Sequence, residues 1–150
     1  MSIDGLEKLE VWCKARDFAL IVYREVLPVL PAEEKWALAQ QIRRSVQSIP
    51  ANIAEGYGRY YYQDNVRFCY TARGSLEESL SHIVLANQLA FIPGDLYERL
   101  KEEGKELTRL INGYIAYLKR SKQGTNEPGA APSIRDLEEP YHTDINDDPD

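Results

Sequence analysis

The chain has 150 residues, 43% of them apolar, and a formal net charge of −6. That length and apolar fraction suit one domain with an ordinary core. No apolar run reaches the ~18 residues of a membrane span, and the acidic start MSIDGLEKLE is not a signal peptide, so a cytoplasmic protein without membrane contact is expected. The acidity is local: residues 121–150 hold eight acids against two bases, and residues 1–120 hold sixteen of each. A dedicated RNA binder shows a basic excess, so the neutral folded part limits any such role.

Residues 1–8 read as a short leader, with Ile3 and Leu6 covering one end of the fold. Helix one is expected from Leu9 to Leu27. Leu9, Trp12, Ala19, Tyr23 and Val26 form one apolar seam, and Val11, Ala15, Phe18 and Val22 form a second beside it. The arc is wider than one partner helix needs. It fits either two bundle neighbours or one neighbour and another subunit. Pro28 and Pro31 break the chain next. Pro31 fits a first helical turn with Glu33 and Glu34 at the positive helix start, and Trp36 is expected to anchor the loop end of helix one.

Helix two is expected to run to about Tyr57. At about 100° per residue, Leu38, Ile42, Val46, Ile49 and Ile53 share one narrow face. Beside them run Gln41, Ser45, Ser48, Asn52, Glu55 and Arg59. A row of short hydrogen-bonding side chains suits a close helix–helix joint in which each polar group finds a partner. Pro50 predicts a kink near Val46 to Ile49, and Gly56 and Gly58 a helix stop.

Residues 58–65 read GRYYYQDN. Three consecutive tyrosines do not all turn inward, so at least one ring faces solvent or a partner. Tyr60 and Tyr61 beside Arg59 and Arg67 match the aromatic and cationic chemistry that holds single-stranded nucleic acid. The same rings also suit capping the fold's end against a neighbouring subunit. Helix three is expected from Tyr62 to Ala90, with Tyr62, Cys69, Leu76, Leu80, Ile83 and Asn87 as core. Ala72, Ser75, Ser79 and Ala86 make a small-residue row that mates with Ser45, Ser48 and Asn52. Gly74 inside this helix predicts close backbone approach, since glycine there is otherwise unfavourable. Leu85, with Tyr70 and Val84, suggests a subunit contact.

Pro93 and Gly94 mark a tight turn, and Asp95 is a candidate cap for helix four. Leu96, Leu100, Leu107, Leu110, Ile111, Tyr114 and Leu118 form its apolar stripe. Glu98, Lys101, Glu102, Lys105 and Glu106 form a solvated face. Lys119 and Arg120 complement the negative end of the helix dipole. From Ser121 the composition is that of a disordered linker and acidic tail.

The fold class is therefore all-α: an antiparallel up-down four-helix bundle over residues 1–120 and a disordered acidic tail over 121–150. A sharper reading of the tail makes it an acidic peptide that docks on the basic patch of its own or a neighbouring subunit.

QIRRSV and SIPANIAEGYGR in helix two, with ARGSLEES in helix three, resemble the bacterial four-helix-bundle proteins encoded in large-subunit ribosomal RNA intervening sequences. Some of these have been labelled ribosomal proteins. Accessory proteins of diversity-generating retroelements are similar at greater distance. The resemblance covers about Leu6 to Arg120 and implies a ring-like homopentamer. The retroelement branch implies binding to a reverse transcriptase and to nucleic acid through a basic surface.

No catalytic constellation is present, and no enzyme activity is expected. His82 and His142 lack a nucleophile in a recognisable arrangement. Di-iron bundle sites need inward Glu-x-x-His pairs, whereas Glu78 and His82 are four apart and Glu77 and Glu55 have no such histidine. GYGR follows a helix rather than a strand, so it is not a dinucleotide fingerprint. Cys13 and Cys69 fall at core positions and read as buried thiols rather than a disulfide. No cofactor or metal is implied.

The functional expectation is a homo-oligomeric scaffold associated with RNA, or an adaptor for a reverse transcriptase or other enzyme. Arg43, Arg44, Arg59, Arg67, Tyr60 and Tyr61 are the candidate nucleic-acid or partner contacts. Gln41, Ser45, Ser48, Asn52, Glu55 and Arg73 are the candidate polar joint, with Arg73 expected to be buried against Glu55 or Glu77.

Overall fold

The computed structural model describes residues 3–122 and 124. The expected tail therefore lies almost wholly outside the described residues, His142 included. A short helix α1 (Ile3–Glu7) precedes α2 (Glu10–Ile21), α3 (Leu38–Tyr57), α4 (Tyr62–Gln88) and α5 (Gly94–Ser121). The four long helices make an all-α bundle. α2 packs on α3, α3 on α4, α4 on α5, and α5 back on α2. Short turns join α3 to α4 and α4 to α5, a longer segment over residues 22–37 joins α2 to α3, and successive helices alternate in direction. One contiguous core runs through all four.

Helix one departs from the expected single rod. Beyond Ile21 the chain widens into a π turn, Val22–Val26, in which the Leu27 N–H reaches back to the Val22 carbonyl. A 3-10 turn over Leu27–Val29 follows. Pro28 has no N–H and its ring crowds the carbonyl four residues earlier, which disfavours a regular α turn there. Val22 and Val26 are nonetheless both fully buried. The second apolar seam is the deeper one: Val11, Ala15 and Phe18 are buried, while Leu9, Trp12, Ala19 and Tyr23 are half-buried against them.

Helix two starts later than Pro31 predicts. A 3-10 turn fills Ala32–Glu34, and α3 begins at Leu38, whose N–H donates to Glu34 Oε2 at 3.2 Å. The carboxylate satisfies a donor that no helical carbonyl reaches, and it favours the positive helix end. Trp36 is 76% exposed and anchors nothing in the helix-one loop; Lys35 Nζ lies over its ring. Leu38, Ile42, Val46, Ile49 and Ile53 are all buried, and α3 stays helical through Pro50.

The glycines act differently from expectation. Gly58 ends α3 with φ −72°, so no left-handed glycine stop forms. Gly56 lies inside the helix and is buried. A β carbon there would sit 2.7 Å from Asn65 Oδ1 and 3.0 Å from the Asn65 carbonyl oxygen. Gly56 is thus where α3 and α4 approach most tightly at this end. Gly74, expected to have that role, is exposed, with nothing within 4 Å of such a carbon. Gly104 on α5 makes an analogous approach to the Leu80 side chain.

The far end of α4 closes with Ala90 at φ 59°. Phe91 N–H donates to the Ala86 carbonyl and Ala90 N–H to the Asn87 carbonyl, both at 2.9 Å. This is the Schellman pattern, with alanine at the position glycine prefers. Asp95 sits in the first turn of α5 rather than capping it.

Candidate functional site

The α3–α4 joint accounts for part of the predicted polar row. Ser79 donates to Ser45 at 2.9 Å, and Ser45 donates onward to the Ile42 carbonyl. Both serines are fully buried. Ser48 and Ser75 share a hydrogen bond of 2.8 Å across the same joint, and Asn52 Nδ2 donates to the Ser48 carbonyl and hydroxyl. Hydroxyls here satisfy each other at a distance that bulkier side chains would not allow.

Three residues of the row are placed elsewhere. Gln41 is exposed and accepts from Arg44. Glu55 is exposed and pairs at 2.8 Å with Arg59, four residues on in the α3–α4 turn. Arg73 is half-buried, donates to Asn112 on α5 at 2.8 Å, and lies over the Tyr70 ring. Of the two expected partners of Arg73, Glu55 and Glu77, Glu55 is taken up by Arg59, and Arg73 turns toward α5.

The predicted binding residues do not form one patch. Arg59 and Tyr60 lie at the α3–α4 turn, with Tyr61 beside them, edge-on to Tyr62 at 5.3 Å. Arg67 is exposed on the next turn of α4 and pairs with Asp64 at 3.5 Å. Arg43 and Arg44 sit fifteen and more residues earlier on α3, which puts them about 22 Å away along the helix axis. Arg44 is tied to Glu78 on α4 at 2.6 Å. The separation follows from helix rise, which the residue list alone does not display.

What the structure does assemble is a cleft of about 480 Å³ at the α3–α4 turn. The α3 end contributes Tyr57, the turn contributes Arg59 and Tyr60, and the start of α4 contributes Tyr62 and Asn65. The last turns of α5 add Tyr114, Tyr117 and Leu118, and Leu9 closes one side. Five phenol rings therefore share one concavity.

Its floor is rigid. Asn65 is only 5% exposed and donates through Nδ2 to the Tyr114 hydroxyl at 3.1 Å. Its Oδ1 lies under Gly56 and 3.7 Å from the Cys69 thiol. Burial pushes the Tyr114 hydroxyl above its ordinary range, against the opposing Asn65 hydrogen bond. Burial also pushes the Cys69 thiol up to about 12, so it is no nucleophile near neutral pH. Cys13, expected to be buried, is half-buried, and both cysteines are free.

The rim is open. Tyr117 is 57% exposed and stacks on Tyr114 with centroids 6.4 Å apart. Tyr60 is similarly exposed. The Arg59 guanidinium lies over the Phe68 ring at 5.4 Å. Such a site offers aromatic surface, a phenol hydroxyl at its floor and a guanidinium at its mouth. Sequence reading missed Tyr57, Asn65 and Tyr117 and placed Tyr114 in the core stripe. The usable signal was tyrosines at the ends of two helices that an up-down bundle brings to the same end.

The profile of the 23S rRNA-intervening sequence proteins matches residues 7–113. The chain belongs to that family. The 23S rRNA-intervening sequence protein region thus includes Leu9 and the whole Tyr57–Asn65 side of the cleft, while Tyr114 and Tyr117 lie just past its end. A solved structure is also similar: a protein of unknown function from the S23 ribosomal protein family of Bacteroides thetaiotaomicron. It is 27% identical, covers 70% of this chain and 97% of its own, and superposes with a TM-score of 0.63. No curated protein matches. Among the described residues no group of three or more His, Cys, Asp or Glu is placed to hold a metal, and no helix is long and apolar enough to cross a membrane.

Proposed function

We propose that this chain is a non-enzymatic, self-associating helical scaffold of the cytoplasm that contacts RNA through the tyrosine-lined end of its bundle. The observation that carries this is the gathering of five tyrosines and Arg59 around one cleft. Aromatic faces beside a cation suit unpaired nucleotides, and the family takes its name from an RNA insertion. Modest charge per subunit adds up when a ring of copies, a homopentamer by the family resemblance, presents the site repeatedly.

A gel shift with single-stranded and fully paired RNA at two salt concentrations tests it. Single-stranded RNA binds better, and its affinity falls as salt rises from about 50 to about 200 mM. Absence of any shift with either RNA at the lower salt sinks the proposal.

A second reading, an adaptor for a reverse transcriptase or other enzyme, draws on the opposite end. Val29, Trp36, Leu85 and Leu89 are exposed there. Exposed apolar groups gathered at one end favour a protein partner, a second copy included.

A further inference from the structure

We propose that the tyrosine cleft takes one unpaired nucleobase between its phenol rings, with the attached phosphate at Arg59. This rests on the RNA reading above and names the part of the RNA that the site receives.

A volume of about 480 Å³ lies within the usual range of ligand sites, about 300–1000 Å³. It is far too small for a duplex. A paired base has both faces stacked and its pairing edge occupied, so only a base from a single strand or one swung out of a helix enters. Tyr57, Tyr60 and Tyr117 line the space from α3, the turn and α5, and stacking on phenol faces tolerates any base.

The floor supplies a directional contact. The Tyr114 hydroxyl already accepts a hydrogen bond from Asn65, which leaves its own O–H to donate. Ring nitrogens and carbonyl oxygens of nucleobases are matching acceptors. Asn65, buried and wedged beneath Gly56, is a positioning residue that aims this hydroxyl.

The mouth supplies charge. Among the described residues Arg59 forms its ion pair with Glu55, on the exposed face of α3, and an exposed pair of that kind is weak enough for a phosphate to displace. Arg120 and Lys122 end α5 at this same end of the bundle. The chain then passes the rim, where a β carbon at Gly124 would lie 3.0 Å from Tyr61 Cα.

The test uses the full chain and three probes: a single-stranded RNA decamer carrying 2-aminopurine, the same decamer annealed to its complement, and free AMP. Tyr117→Leu and Tyr60→Leu change exposed cleft residues, and Lys105→Gln, on the solvated face of α5, is the control at a distance. Circular dichroism checks that each variant keeps its helices. Quenching of 2-aminopurine in the single strand, absent in the duplex, is expected. Each tyrosine variant should bind the decamer about five- to a hundredfold more weakly and lose the quenching, while Lys105→Gln keeps both.

If the decamer binds and neither tyrosine variant alters affinity or quenching, the cleft assignment is overturned and the RNA reading survives. If AMP binds through the same tyrosines but the decamer does not, the RNA reading fails and the cleft stands as a nucleotide site. If wild-type protein binds neither, both are overturned.

Discussion

At one end of the bundle Tyr57, Tyr60 and Tyr117 surround a floor of Asn65 and Tyr114; at the other, Val29, Trp36, Leu85 and Leu89 are exposed. The first end is braced from below. Gly56 lets α3 close onto α4, and the pressed-in Asn65 amide holds Tyr114. The second is closed by local devices, a Glu34 carboxylate on the first N–H of α3 and a left-handed Ala90. A braced, polar-floored cavity suits a ligand with hydrogen-bonding edges. A loosely capped apolar end suits burial against another protein surface.

The contrast is sharpest at Cys69, directly under the cleft floor. With its thiol raised from 9.0 to about 12 by burial, its thiolate fraction near pH 8 is about a thousandfold below an ordinary cysteine's. A disulfide reagent should therefore label Cys13 and spare Cys69. Equal labelling means that the floor is open to water. The same shift fixes a sign for stability. Between about pH 9 and 12 the unfolded thiol ionises and the folded one does not, so wild type loses stability as pH rises through that window. Cys69→Ala should flatten that slope in urea titrations.

Next in size is the brace itself. Gly56→Ala places a carbon against the Asn65 backbone and side chain and should destabilise by about 1–3 kcal/mol. Gly74→Ala, with open space around it, should stabilise by up to about 1 kcal/mol. Urea denaturation of the pair decides; similar values for both would mean that α3 and α4 are not tightly apposed at Gly56.

At the opposite end, Ala90→Gly removes the penalty of a β carbon at φ 59° and adds freedom to the unfolded chain. The net gain is up to about 1 kcal/mol, read as a rise in melting temperature. A loss would show that the Schellman turn is absent in solution.

The smallest stability effect is expected at Trp36, where Trp36→Ser should stay within about 0.5 kcal/mol. If that end is a contact between copies, light scattering will nonetheless report a smaller assembly. An unchanged assembly would leave the apolar end without that role.

Helix count, the buried stripe of α3 and the serine row facing Ser75 and Ser79 are legible in the chain, because each rests on spacing within one helix. The Tyr57–Tyr117 cleft is not. Its members are spread over a leader junction, a turn and the ends of three helices, and each alone reads as an ordinary tyrosine. Arg73 and Glu55 show the same limit: their neighbours depend on helix phase across a joint, and a few degrees of rotation exchange one partner for another.

What the amino-acid order determined by itself was the set of rods and their inward faces, since periodicity and breakers such as Pro28 and Pro93 act over a few residues. Tertiary structure alone decided which rod ends meet, which glycine touches a neighbour, and which charges pair. Those outcomes follow from helix length, rise and rotation summed over twenty or more residues, and small differences along the way move a side chain from one neighbour to the next.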